Sequence, residues 1–266
     1  MKYYAHTKEG RPQEEWQLLK EHCSTVGKLV AEYSKKWCTE EYAENLGVLH
    51  DIGKYQKSFQ KRLADSKIRI EHSICGAKEC CNYNMERMGA DYCISGHHTG
   101  LPDIGTSVDG FEEPTLQGRL KRKCEDYSSY KSELALNKIK NEPWINGIKD
   151  KKEYAFFIRM MYSCLVDADF IDTESFCSGI QQRGINADFE VCLNKIKTLM
   201  HAFPEDTPVN KARKSLLNQC LAHIDNDAEL LYMNMPTGSG KTLTSMRFAL
   251  EKAIKQGKKR MVQLQF

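Results

Sequence analysis

Histidines and aspartates with the right types to hold divalent cations recur along the first two thirds of this chain. The most compact sign is Leu49-His50-Asp51-Ile52-Gly53-Lys54, an imidazole and a carboxylate side by side in apolar sequence. Burying such a pair is costly unless it binds something, and a divalent cation supplies the compensation. The pair has company. His22 lies upstream in an amphipathic segment. Downstream come Glu71-His72-Ser73, then Gly96-His97-His98-Thr99-Gly100, then Val166-Asp167-Ala168-Asp169-Phe170. Neighbouring residues on a regular helix point about 100° apart. His97 and His98 therefore cannot both serve one ion from mid-helix, and the flanking glycines mark a helix end. Lys54 is read either as a phosphate-binding, charge-stabilising group or as an ordinary surface lysine. His6, His201 and His223 match no part of the pattern and are read as bystanders.

A second chemistry lies near the other end. Met235-Pro236-Thr237-Gly238-Ser239-Gly240-Lys241-Thr242 is close to the phosphate-loop pattern GxxxxGK[ST], with Met in place of the first glycine. Backbone amides at Gly238, Ser239 and Gly240, together with a helix N-terminus, would cradle phosphates. Lys241 would reach the β/γ-phosphates and Thr242 would ligate Mg²⁺. ATP with Mg²⁺ is thus an expected cofactor of the full-length protein.

The elements that must position these groups follow from periodicity. Apolar residues recur at three and four over Trp16, Leu19, Val26 and Val30, and again over Leu46, Leu49 and Ile52, so helices are expected there. Further helices are expected over 71–95, 116–140 and 189–203, with a loop from Gly100 to Pro114 and a buried apolar segment from Glu153 to Phe170. Phe203-Pro204-Glu205-Asp206-Thr207-Pro208 reads as a linker. Beyond it the expected order is a helix (Val209 to His223), a strand (Leu230 to Met235), the glycine loop, a helix (Leu243 to Lys255) and a strand (Arg260 to Leu264). That is the opening of an α/β nucleotide-binding domain. The expected domains are 1–203, a linker at 204–212, and an incomplete second domain at 213–266.

Composition sets bounds. The 266 residues carry a net charge of +3, which does not announce a nucleic-acid binder, so any DNA contact needs a local basic groove or bound metal. Arg119, Lys121, Arg122 and Lys123 are a candidate groove, weighed against a solvated surface. Eleven cysteines without a CxxC pair read as reduced thiols, hence a cytoplasmic setting. No membrane span or secretory signal is seen, and a monomer is the default.

The order H…HD…H…HH…D resembles the HD nuclease domain of the CRISPR type I effector helicase–nuclease, and the PTGSGKT segment resembles motif I of superfamily 2 helicases. The resemblance implies a mainly α HD-superfamily domain with a dinuclear metal site, followed by a truncated α/β (RecA-like) segment. Carried over by motif, His22, His50, Asp51 and Asp169 would hold one ion. Asp51 would bridge to a second ion completed by His72, His97 and His98, with Asp167 as the alternative to Asp169. Two ions about 3.5–4 Å apart can clamp both oxygens of a phosphoryl displacement and lower the pKa of a bound water. Imidazole-rich sets suit Mn, Fe, Co, Ni or Zn. The implied activity is endonucleolytic cutting of single-stranded DNA in antiviral defence, with Asp51 and Lys54 as catalytic residues. The implied partners are single-stranded DNA, an RNA-guided surveillance complex and a phage-encoded inhibitor. ATPase or helicase activity is not expected of this length of chain. The alternative reading is an HD phosphohydrolase on small or cyclic nucleotides. A non-catalytic docking module with a degenerate metal site is a third.

Overall fold

The computed structural model describes residues 2–64, 70–179, 187–204, 206–228 and 231–258. The chain divides into two compact units, Met1–Gln181 and Gln182–Phe266, and its described part is mainly helical.

The first unit opens with a two-stranded antiparallel hairpin, β1 (Tyr4–His6) against β2 (Gln17–Leu18), which the helical periodicity did not suggest. α1 (Leu19–Ser34) follows at once and buries Leu19, Cys23, Val26 and Val30 along one stripe. α2 (Glu40–Leu49) packs back against it. Their backbones touch: a Cβ on Gly47 would lie 2.6 Å from the Cα of Gly27. Only glycine permits that approach, and it brings the end of α2 alongside the early turns of α1.

The chain then runs through a 3₁₀ turn (Ile52–Tyr55) into α3 (Lys57–Ala64). The single helix expected over 71–95 is two: α4 (Ser73–Glu79) and α5 (Ala90–Gly96). Left-handed backbone at Asn84 (φ 56°) and Gly89 (φ 78°) separates them. The expected helix over 116–140 is also corrected. Only α6 (Leu116–Leu120) and a 3₁₀ turn (Ser128–Ser132) form. Tertiary contacts replace the helical ones. The buried Asn45 amide donates to Asn137 O at 2.9 Å and its Oδ1 accepts from Asn137 N at 2.8 Å. Tyr130 is buried, its hydroxyl donating to Glu79 at 2.6 Å.

α7 (Lys151–Ser178) begins where the Asp150 carboxylate accepts from the amides of Lys152 and Glu153. The segment expected to be buried is buried on one face only. Phe157, Met161, Leu165 and Ala168 face the core, while Phe156 and Phe170 are 66% and 69% exposed.

The second unit holds α8 (Phe189–His201), α9 (Pro208–Leu221) and α10 (Lys241–Lys255). Leu193 and Ile196 of α8 pack with Leu250 of α10, so α8 lies with the second unit although the sequence suggested a domain running to 203. Part of the expected linker 204–212 is helical. The Thr207 hydroxyl caps α9 and Pro208 is its first residue, a position where proline's missing N–H costs nothing. The strand expected from Leu230 does not form over residues 231–235. A strand needs a hydrogen-bonded neighbour, and the described residues of this unit offer none; the strand expected at 260–264 lies outside the described residues. No described helix is long and apolar enough to cross a membrane.

Candidate metal centre

Asp51 sits just past the end of α2 and is fully buried. His50 caps α2, so the pair occupies the turn leaving that helix and not its interior. The two carboxylate oxygens of Asp51 face different partners. Oδ2 lies 3.2 Å from His22 Nε2, 3.3 Å from His50 Nε2 and 2.6 Å from Lys54 Nζ. Oδ1 lies 3.3 Å from His72 Nε2 and 3.6 Å from His97 Nε2. Asp169, on α7, places Oδ1 3.4 Å from His22 Nε2 and 3.7 Å from His50 Nε2. His72 Nε2 and His98 Nε2 are 2.9 Å apart. All seven residues carried over by motif thus come together, from α1, the end of α2, the start of α4, the end of α5 and α7. Asp169 reaches the cluster; Asp167 is exposed.

Local backbone explains the convergence. A Cβ on Gly53 would lie 2.0 Å from His72 O, so the segment before α4 can press against the turn after Asp51 only because residue 53 is glycine. α5 ends at Gly96, and His97 and His98 follow with ring centroids 3.9 Å apart. The helix end lets both rings serve one side of Asp51.

The imidazoles are held from behind. His50 Nδ1 is 2.6 Å from Gly47 O, His97 Nδ1 is 2.7 Å from Ile94 O, and His22 Nδ1 is 2.6 Å from Asp172 Oδ2. An Nδ1–H donated outward leaves the Nε2 lone pair facing inward, the usual arrangement behind a metal-bound imidazole. His50 Nε2, His97 Nε2 and Asp51 Oδ1 are buried with no hydrogen-bond partner among the described residues. Orphaned buried acceptors are expensive, and cations satisfy several at once. The donor set therefore fits divalent metal. Among the described residues, three groupings each have their donor atoms within 4.8 Å of one another: Asp51, His72, His97 and His98; His6, His22, Asp51 and Asp169; and His50, His97 and Asp169.

Electrostatics divide the cluster. With no cation bound, burial opposes charge on His22, but Asp169, Asp172 and Asp51 outweigh it and raise its pKa to about 9, so a metal ion would displace the ring proton. Burial is likewise outweighed at His50, raised to about 10 by Asp51 and Asp169. Burial dominates at His97, and burial with the neighbouring His97 brings His98 down to about 3. Asp51 is held well below the carboxylate range: burial opposes this, but Lys54, His50 and His22 prevail.

Lys54 is 4% exposed and bound to Asp51, which excludes the surface-lysine reading. Two residues were missed. His6 matches no part of the sequence pattern, yet it joins His22, Asp51 and Asp169; its approach comes from strand pairing, which no helical spacing encodes. Asp172 orients His22, and its position three residues after Asp169 on one helix face was a usable signal. The candidate basic groove is largely spent on structure. Arg119 and Arg122 pair with Glu71 at 3.2 and 3.0 Å, and Lys121 binds the carbonyls of Ser107 and Asp109.

In the second unit, Gly238 and Gly240 take positive φ (80° and 85°), and Lys241 and Thr242 begin α10. The Ser239 hydroxyl donates to Pro236 O at 2.6 Å, and Arg213 of α9 donates to Gly238 O at 2.7 Å. Residues 206–264 match the family described as type III restriction enzyme, res subunit, a helicase-family domain. No curated protein matches the chain. The match relates this segment to enzymes that act on nucleic acid.

Proposed function

We propose that the first unit is a metal-dependent phosphodiesterase of the HD type that cuts single-stranded DNA. The observation that carries this reading is the Asp51 carboxylate, whose two oxygens face two sets of inward-pointing, buried imidazole nitrogens. His22, His50, Asp51 and Asp169 would hold one divalent ion, and Asp51, His72, His97 and His98 the other. Bound there, a pair of transition-metal ions supplies Lewis acidity at a phosphate and a water of lowered pKa. The chain's own residues do the rest. Gly47 O, Ile94 O and Asp172 fix the imidazoles before substrate arrives. Lys54 offsets the buried Asp51 charge, and an incoming phosphate oxygen would compete for its ammonium. His98 is exposed and the Asp169 side chain is 16% exposed, so substrate would enter on their side.

The preference for DNA over a small nucleotide rests on the helicase-related segment that follows the domain in sequence. In this reading the chain is part of a CRISPR type I helicase–nuclease. It would act in the cytoplasm as a monomer, be recruited by an RNA-guided surveillance complex, and be open to a phage-encoded inhibitor. The loop at Gly238 to Thr242 would take ATP and Mg²⁺ in the full-length protein.

Substrates tested side by side decide the matter: a labelled single-stranded oligonucleotide, nucleoside monophosphates and cyclic nucleotides, each with Mn²⁺, Co²⁺, Ni²⁺ or Zn²⁺. The proposal expects metal-dependent cleavage of the oligonucleotide alone. Hydrolysis of the small nucleotides with the oligonucleotide left intact would replace it with the small-nucleotide phosphohydrolase.

A further inference from the structure

Resting on the metal-dependent reading above, we infer that His6 is a ligand of the ion beside His22, one donor beyond the seven in the HD pattern. A ring nitrogen of His6 and donor atoms of His22, Asp51 and Asp169 all lie within 4.8 Å of one another. Ligand bonds of about 2.1 Å set opposite donors on one ion about 4.2 Å apart. Small side-chain adjustments therefore close this group on a single cation.

The approach of His6 is built into the fold from several sides. β1 is tied to β2 at His6 and Gln17, and Leu19 N at the head of α1 donates to Tyr3 O at 2.9 Å. On the other edge, Gln60 of α3 brackets Tyr4, accepting from its N–H and donating to its carbonyl, both at 3.0 Å. Ala5 is buried, and its carbonyl faces Lys54 Nζ at 3.4 Å. The ring itself packs edge-on against His22 at 5.0 Å, and its Nε2 lies 3.2 Å from the Thr173 hydroxyl, one turn beyond Asp169 on α7. A bystander histidine on a short hairpin has no need of so many anchors. With His6, the side of Asp51 that faces α1 gains an imidazole, the donor that transition cations prefer.

The test is a Co²⁺ titration of the full chain, read by visible absorption and by metal content after dialysis, for the unaltered protein, His6→Ala, His6→Gln and His72→Ala. The unaltered protein should bind two ions. Both His6 variants should keep one ion at undiminished affinity, which also reports that they are folded. They should lose the other by ~100-fold or more, beyond the 10–100-fold typical of groups that merely support a ligand, with an altered absorption band. His72→Ala should lose the opposite ion. Two ions bound by both His6 variants with the original band and affinity would overturn the assignment while leaving the metal-dependent reading intact. Failure of the unaltered protein to bind two ions would overturn that reading, and this inference with it.

Discussion

Asp51 Oδ1 lies 3.3 Å from His72 Nε2, while the other oxygen of the same carboxylate faces His22 at 3.2 Å. One side chain thus stands between two sets of imidazoles contributed by different helices. Removing it should affect both sets; removing His72 should affect one. Asp51→Ala is expected to lose both bound ions and His72→Ala only one, as measured by metal content after dialysis. Equal stoichiometry in the two variants would mean that Asp51 does not bridge.

Asp172 touches no inward-facing donor yet fixes the ring of His22 through a 2.6 Å contact to Nδ1. Gln17 also donates to it at 2.6 Å. Asp172→Ala should keep the fold and weaken one ion by roughly 10–100-fold, the usual effect of removing the group behind a ligating histidine. Calorimetric titration reads this directly. Unchanged affinity would make Asp172 dispensable.

Gly53→Ala tests the packing that brings His72 in. The added methyl would fall 2.0 Å from a backbone oxygen that has no side-chain freedom. Overpacking of this kind costs about 1–3 kcal/mol, so a lower midpoint in urea and loss of the His72-side ion are expected together. Gly110→Ala, with nothing among the described residues within 4 Å of the new methyl and no positive φ, is the control for adding a methyl group without a clash.

Asp91, buried in the first turn of α5, supplies a pH dependence away from the cluster. Burial, reinforced by Glu86, raises its pKa to about 6 despite the amide of Tyr92. A carboxyl raised in the folded state favours folding while protonated. Its contribution is complete below the unfolded value near 3.9 and is lost as pH rises through 6. Asp91→Asn should therefore gain about 3 kcal/mol relative to the original at pH 7 and little at pH 4. Chemical denaturation at the two pH values measures the difference. An equal effect at both would mean the carboxyl titrates normally.

The cluster was largely legible because its parts sit on helices whose order and small-residue flanks are written locally. His50-Asp51 and His97-His98 announce themselves by adjacency, and Gly96 marks the helix end that lets both rings turn inward. What escaped depends on contacts between distant segments. His6 reaches the cluster through strand pairing with Gln17, and nothing around residue 6 encodes that partner. The irregular stretch after α6 reads as helix until Asn45 is seen to satisfy the backbone of Asn137, a pairing across 92 residues. The Arg119–Lys123 run looked like a free basic surface, but Glu71 and nearby carbonyls occupy Arg119, Lys121 and Arg122. Thr207-Pro208 looked like a linker but starts a helix, because the same residues serve as cap and first position.

Cleavage of circular single-stranded DNA with Mn²⁺, with EDTA and Asp51→Ala as controls, asks whether the cluster around Asp51 is a nuclease centre. A circle yields only to an internal cut, so a contaminating exonuclease cannot imitate the result. Linear product is expected with the original protein and Mn²⁺, and none with EDTA or with Asp51→Ala. An intact circle in the presence of a protein shown to carry two ions would contradict the nuclease reading.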